Sequence, residues 1–385
     1  AFGLQGFEAT IADLEGCDVI LDEIHTYSGV TQSIVFKIVQ VLKHLNCRIH
    51  IGTATMPTAL YAQIIEVLGA DNVLEVKLSA DELNAFDRHV VHKVVEWSNA
   101  YTEIAKAITE SKKVLVVCNK VQNAQAQYAY FKEQYPSIPI VLLHSRFKRG
   151  DREQKEKLLL GLNDDGGPNG NFNTSTDACI VVSTQVVEVS LDISFDIMVT
   201  ETAPLDALIQ RFGRINRRRT EATIGKYMPV FVIQPPEKES DCKPYKQSDL
   251  ASSYEVLPSG DVLRERDLQA KIDAVFPSVD LLNIEQHSVF KQDGKWRIDF
   301  LTHRNKSILF ELLEIDSIAC IIEDDEIAYR DADYEARMGM EIPAKFNYGF
   351  KSLRQSLFGS KPFIVPNRSY SSELGLDMSL VKSEN

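Results

Sequence analysis

Two adjacent carboxylates and a histidine close an apolar run near the start of the chain, Val19-Ile20-Leu21-Asp22-Glu23-Ile24-His25. A short apolar run of this kind reads as a buried parallel strand. Ligands of open α/β sheets sit outside the carboxyl ends of the strands, which puts Asp22 and Glu23 at the ligand edge. Neighbouring acids there suit magnesium–nucleotide chemistry: one holds the ion's water shell and the other polarises an attacking water. A strand that merely ends in a charged turn explains the same residues, because short motifs match by chance often.

Two later stretches add to this. In Val181-Val182-Ser183-Thr184-Gln185-Val186-Val187-Glu188-Val189-Ser190-Leu191-Asp192 a strand ends in small hydroxyl residues and leads to an acid. Hydroxyls and backbone N–H groups at such an end can hold backbone phosphates without reading sequence. Asp192 could bond a ribose hydroxyl or couple nucleotide to nucleic acid; an ordinary polar loop is the plainer reading. In Gln210-Arg211-Phe212-Gly213-Arg214-Ile215-Asn216-Arg217-Arg218-Arg219, a continuing helix would put Gln210, Arg214 and Arg217 on one face. Guanidinium groups grip phosphate bidentately, and an arginine supplied to a transferring phosphoryl group is worth on the order of a thousandfold in rate. A solvated basic helix end explains a cation or two, but not five arginines with glutamine and glycine among them.

The elements that must position these groups follow from hydrophobic period. Helices are expected at about 31–45, with Ile34, Ile38, Val41, Leu42 and Leu45 inward, and at 58–68, stopped by Gly69. Strands are expected at Arg48–Gly52, Val114–Cys118, Pro139–Leu143, Cys179–Val182, Ile197–Val199 and Val230–Ile233. Between them lie helices marked by Val121, Ala124, Tyr128 and Phe131, by Leu158, Leu159 and Leu162, and by Leu205, Leu208, Ile209 and Phe212. Residues 163–177, rich in Gly, Asn and Asp, read as a mobile surface loop. The alternation implies α/β architecture with doubly wound, mostly parallel sheets. Residues 1–75 form a partial unit, 76–235 a complete one, and 236–262 a linker after Pro235-Pro236. Residues 263–385 read as a small α+β accessory domain, with strands near Trp296–Phe300 and Ile308–Leu313 and a solvated acidic face at 323–326.

With 385 residues, 44% hydrophobic and 25% charged, the chain is ordinary globular material for two or three domains. Its longest apolar runs are strand-sized, too short to span a membrane, and no signal peptide is visible. Six cysteines without paired spacing argue against a zinc site or disulfide scaffold and for the reducing cytoplasm. A net charge of -13 counts against a protein coated in nucleic acid but allows a narrow basic groove.

Asp22-Glu23-Ile24-His25, Thr53-Ala54-Thr55, the stretch from Ser183 to Asp192 and Gln210 to Arg217 come in the order of motifs II, III, V and VI of superfamily 2 helicases. Their wording most resembles the Cas3 family, the helicase–nucleases of type I CRISPR systems, as do His144-Ser145-Arg146-Phe147 with Asp151-Arg152, and Asn119. The resemblance covers about residues 17–220. It implies RecA-like parallel sheets, one partial and one complete. It implies ATP and Mg2+ as cofactors, with Asp22 on the metal, Glu23 as general base, and Gln210, Arg214, Arg217 and Asp192 near the triphosphate. His25, Thr53 and Thr55 would link nucleotide state to DNA. Asn119, His144, Arg146, Thr184 and Gln185 would line a single-stranded DNA track. Glu188 orders a loop rather than touching phosphate. The partners implied are single-stranded DNA, a crRNA-guided surveillance complex (Cascade) and a nuclease domain in cis or trans. Met56 and Ser190 are mild departures from the family's wording.

Two absences qualify this. No Gly-x-x-x-x-Gly-Lys-Ser/Thr loop occurs in the sequence, and no histidine is followed by aspartate, the pair on which the family's nuclease relies. The chain is therefore expected to correspond to the C-terminal part of such a protein and to be inactive as an ATPase by itself. Exposed strand edges and apolar faces are expected over residues 1–70. The alternatives are another superfamily 2 helicase acting on DNA or RNA, and a non-catalytic interaction module.

Overall fold

The computed structural model describes residues 7–24, 29–53, 56–163, 165–188, 192–218, 223–279, 281, 284, 288–291, 294–295 and 317–381. Two compact units emerge, one from residues 1–84 with 264–315, the other from 85–263 with 316–385. Both carry parallel strands alternating with helices, the α/β class read from the sequence. Among the described residues no helix is long and apolar enough to cross a membrane.

The first unit contains α1 (Phe7–Leu14), β1 (Asp18–Asp22), α2 (Gly29–His44), β2 (Arg48–Gly52), α3 (Thr58–Leu68), α4 (Ala80–Asn84) and α10 (Leu268–Val275). Strands β1 and β2 pair in parallel from Asp18↔Arg48 to Asp22↔Gly52. Along β1 the pleat alternates exposed and half-buried residues, so Leu21 turns to the core while Ile20 is 76% exposed. Leu21, Ile51, Phe36 and Val279 pack around Ile24, Leu60 and Ile64. The start of α3 has orphan donors that need an acceptor. Asp273 of α10 supplies it, taking the Thr58 N–H and the Thr58 hydroxyl at 2.7 Å each. Residues 264–279 thus fold with the first unit rather than with the accessory domain expected for 263–385.

The second unit is built on a seven-stranded sheet in the order β5-β6-β4-β7-β8-β3-β9. Its elements are β3 (His89–Val94), α5 (Trp97–Thr109), β4 (Lys113–Val117), α6 (Val121–Gln134), β5 (Ile140–Leu143), α7 (Arg149–Leu160), β6 (Cys179–Ser183), β7 (Ile197–Glu201), α8 (Leu205–Phe212), β8 (Met228–Ile233), α9 (Gln247–Val256) and β9 (Asp261–Val262). All neighbours are parallel except β9 against β3. Strands β5 and β6 are buried along their whole length, because helices cover both faces of a parallel sheet and a continuous apolar run satisfies both. Residues 236–262, expected as a linker, instead contribute α9 and the edge strand β9. Beyond the first unit's return, β10 (Ser317–Ile322), α11 (Glu326–Asp331), α12 (Tyr334–Met340), β11 (Ile342–Lys345), β12 (Phe363–Val365), β13 (Tyr370–Ser371) and β14 (Gly375–Leu376) complete the second unit. The expected strands at 296–300 and 308–313 lie outside the described residues.

Other local readings are corrected by the structure. Helix α7 ends at Gly161, left-handed at φ 66°, where a Cβ would stand 2.4 Å from the Asn171 carbonyl oxygen. Only Leu159 of its expected inward leucines is buried; Leu158 and Leu162 are 38% and 41% exposed. The loop after it is anchored rather than loose: Phe172 is buried and Asn173 bonds the chain at 192–194.

Candidate active site

At the carboxyl end of β1, Asp22 is exposed and Glu23 half-buried. Glu23 adopts a left-handed φ of 51°, and its N–H donates to the Gly52 carbonyl at 2.9 Å. That turn lets Ile24 enter the core while both carboxylates stay at the strand edge. Gly52, directly opposite, leaves room for Asp22: a Cβ there would lie 3.2 Å from Asp22 Oδ1. Burial, and then the charge of Asp22, push the Glu23 carboxyl above its ordinary range. A carboxylate with raised proton affinity is a better general base near neutral pH. Thr53 follows Gly52 and is exposed. His25 and Thr55 lie outside the described residues.

The arginine stretch is in the second unit, and its helix does not continue as expected. Helix α8 stops at Phe212, the chain turns through Gly213, and Asn216 is left-handed at φ 50°. Gln210, Arg214 and Arg217 therefore do not share a helix face. Gln210 is half-buried in the last turn of α8. Arg214, 6% exposed, grips the 185–188 turn through Nε to Val187 O at 2.8 Å and Nη2 to Glu188 O at 2.6 Å. Burial and the neighbouring Arg217 lower its pKa to about 10, so it stays charged at neutral pH. Arg217 and Arg218 are exposed and converge on Asp192: Arg217 Nε donates to Oδ1 at 2.9 Å and Arg218 Nη2 to Oδ2 at 3.1 Å. Asp192 loses some charge stability to burial, but the two guanidiniums outweigh that and hold its carboxyl below the ordinary range. Phosphate in place of Asp192 would meet the same two cations.

The residue that organises this half was not singled out from sequence. Arg211 is fully buried and makes four hydrogen bonds: to Glu188 Oε1 at 2.8 Å, Thr200 Oγ1 at 2.9 Å, Glu201 O at 3.0 Å and Asn119 Oδ1 at 3.0 Å. Burial alone would lower its pKa, but Glu188 and the acids beside it raise it on balance. Leu205, Leu208, Arg211 and Phe212 form the buried face of α8, so the helical period already placed an arginine inward. An inward arginine demands a buried acid, but the sequence offers several between apolar residues, Asp192, Asp196 and Asp206 as well as Glu188, so period alone did not name the partner.

The expected strand-track residues divide. Asn119 is a keystone of the same network: its Nδ2 donates to Thr202 O at 2.8 Å, its N–H to Glu201 Oε2 at 2.6 Å, and its carbonyl accepts from Gln185 Nε2 at 2.9 Å. Thr184 is 3% exposed and its N–H reaches Leu143 O at 3.3 Å. His144 is fully buried, with Nε2 3.0 Å from Leu374 O, Nδ1 accepting from Arg146 N–H at 3.1 Å, and its ring stacked on Phe147 at 4.3 Å. Burial lowers its pKa to about 3. With no exposed surface and both ring nitrogens engaged, His144 cannot touch a DNA strand in this structure; it is a core histidine. Arg146 remains partly exposed beside it.

Comparison with known proteins bears on the same stretches. The family model of the CRISPR-associated nuclease/helicase Cas3, C-terminal, matches residues 110–220. The Cas3 nuclease/helicase of Methanothermobacter thermautotrophicus is 28% identical over 56% of this chain and 25% of its own. Cas3 of Escherichia coli K12 is 38% identical over 34% of this chain and 14% of its own. A Cas3 of Myxococcus xanthus is 29% identical over 90% of this chain and 43% of its own. The chain thus spans less than half the length of these relatives. A crystal structure of T. fusca Cas3 with AMPPNP superimposes on the whole chain and on 54% of its own, with TM-score 0.75 and 18% identity. A chain in a CRISPR RNA-guided surveillance complex in its pre-nicking state matches 98% of this one with TM-score 0.68.

Proposed function

The chain resembles the C-terminal helicase part of Cas3 proteins, in sequence over residues 110–220 and in RecA-like α/β fold along its length, and from that premise we propose that it serves an ATP-dependent motor that moves along single-stranded DNA in CRISPR interference. The observation that carries this reading is the Asp22–Glu23 pair at the carboxyl edge of a parallel strand, with Glu23 raised in proton affinity beside an exposed Asp22. The donor set fits a magnesium ion, which keeps most of its waters and takes one or two carboxylates. When bound, Mg2+ would supply charge neutralisation for phosphoryl transfer. Asp22 would hold the ion through its water shell. Glu23 orients a water and takes its proton.

Gln210, Arg214, Arg217 and Asp192 are assigned to the nucleotide. Arg217 is the group that reaches phosphate, being exposed and, among the described residues, paired through its guanidinium with exposed Asp192. Arg214 shapes the 185–188 turn on which it is anchored. Thr53, Thr55 and His25 are assigned to coupling, and Arg146 and Gln185 to the DNA track; Asn119 and buried Thr184 support that track from beneath. The partners proposed are Cascade and a nuclease domain.

The test joins residues 1–385 to a phosphate-loop-bearing segment from a Cas3 relative, in cis or in trans. ATP hydrolysis stimulated by single-stranded DNA is expected, and Arg217→Ala abolishes it. The 385 residues alone hydrolyse none. Stimulation by RNA and not DNA, or robust hydrolysis by the chain alone, overturns the reading.

A further inference from the structure

We propose that Cys17 and Cys47 form a reversible disulfide that staples β1 to β2. The two cysteines lie far apart in sequence but occupy matching places in two adjacent helix-to-strand turns. Helix α1 ends at Leu14 and leads through left-handed Gly16, φ 73°, to Cys17 and β1. Helix α2 ends at His44 and leads through left-handed Asn46, φ 53°, to Cys47 and β2.

The turns are bonded to each other. Gly16 N–H donates to Leu45 O at 2.9 Å, and Arg48 N–H donates to Cys17 O at 2.9 Å. With Asp18 opposite Arg48 in the parallel register, Cys17 stands opposite Cys47 one step before the strands. Neighbouring strands lie about 4.8 Å apart, within the roughly 4.4–6.8 Å between Cα atoms that a disulfide spans. Both sulfurs point the same way. Cys17 Sγ donates to Asp13 O at 3.0 Å and Cys47 Sγ to Leu14 O at 3.0 Å, two successive carbonyls at the end of α1.

Access differs in a useful way. Cys17 is exposed and Cys47 half-buried, whereas Cys118, Cys179, Cys242 and Cys320 are buried. The oxidant is a small disulfide of the glutathione class. The Cys17 thiolate attacks it, displacing one small thiol and forming a mixed disulfide. The Cys47 thiolate then attacks the Cys17 sulfur and expels the second thiol. Each protein thiol gives up its proton to solvent, and the small disulfide is reduced to two thiols. The link closes the loop that contains α2, and the same two strands carry Asp22 and Gly52 at their other ends.

The experiment incubates the folded chain with oxidised glutathione, alkylates remaining thiols and maps peptides by mass. A linked Cys17–Cys47 peptide, two hydrogens lighter than the reduced pair and cleaved by dithiothreitol, is expected. The Cys47→Ser variant should retain glutathione on Cys17, because its resolving thiol is gone. In the oxidised chain, amide exchange over residues 18–22 and 48–52 should slow by about a hundredfold, as closing a loop of this length constrains the opened state. Stable glutathionylation of Cys17 in the unsubstituted chain without the link overturns the proposal. So does a link formed as readily in urea as in the folded chain.

Discussion

Lowering the pH should weaken the second unit through one histidine. His144 is sealed between Leu374 and Phe147, and burial drops its pKa to about 3 from the ordinary 6.5. In an opened chain the ring regains its ordinary affinity, so between pH 6.5 and 3 the opened state binds a proton that the folded state refuses. Stability is complete above pH 6.5 and falls as the pH drops towards 3. At pH 4.5 the opened ring is two pH units below its pKa, which costs about 3 kcal/mol, or about a hundredfold in the opening equilibrium. Global melting is a poor readout, since two units need not unfold together. Hydrogen exchange of β5 and β6 amides, corrected for intrinsic rate, reports the opening directly. Carboxylates also titrate in this range, so the decisive quantity is the difference between the chain and a His144→Gln variant, which keeps a donor for Leu374 O but does not titrate. The variant's protection should be nearly flat where the unsubstituted chain loses about a hundredfold. Equal pH slopes for both, or a His144 ring resonance titrating near pH 6.5, would refute the reasoning.

Arg211→Ala should destabilise the second unit by about 3–5 kcal/mol, because it leaves Glu188 buried without its cation and removes the donors to Thr200 and Asn119; a thermal shift of only a degree or two would show that water enters and replaces the guanidinium. Gly375→Ala should detach the β13–β14 hairpin. A Cβ there would stand 2.5 Å from His144 Cε1 and 2.7 Å from Arg146 O, at a φ of 72° that strains any L side chain. The signature is faster exchange at Leu376, whose N–H donates to Arg146 O at 2.8 Å, and a proteolytic cut within 367–381 that the unsubstituted chain resists.

The parts of the fold legible in the sequence are those set by local periodicity. Strands β4, β5 and β6 are continuous apolar runs because helices cover both their faces, and α3 ends where Gly69 says it must. What period could not supply was partnership over long separations. Asp273 caps a helix that starts 215 residues before it, so the return of 264–279 to the first unit rests on one carboxylate that any exposed helix might carry. The same limit governs the site. Gln210, Arg214 and Arg217 were placed on one face by assuming that α8 continues, but the helix stops at Phe212. Gly213 and left-handed Asn216 instead bend the chain back, so that Ile215 pairs with Phe195 and Arg217 meets Asp192. The sequence reading counted cations for an anion, while the geometry depended on which anions the fold already holds. His144 shows the converse. A motif histidine followed by serine and arginine reads as a contact residue, yet its neighbours Leu143 and Phe147 are both fully buried. A ring between two such residues follows their burial, and only the hairpin from residues 370–376, more than two hundred positions away, reveals what covers it.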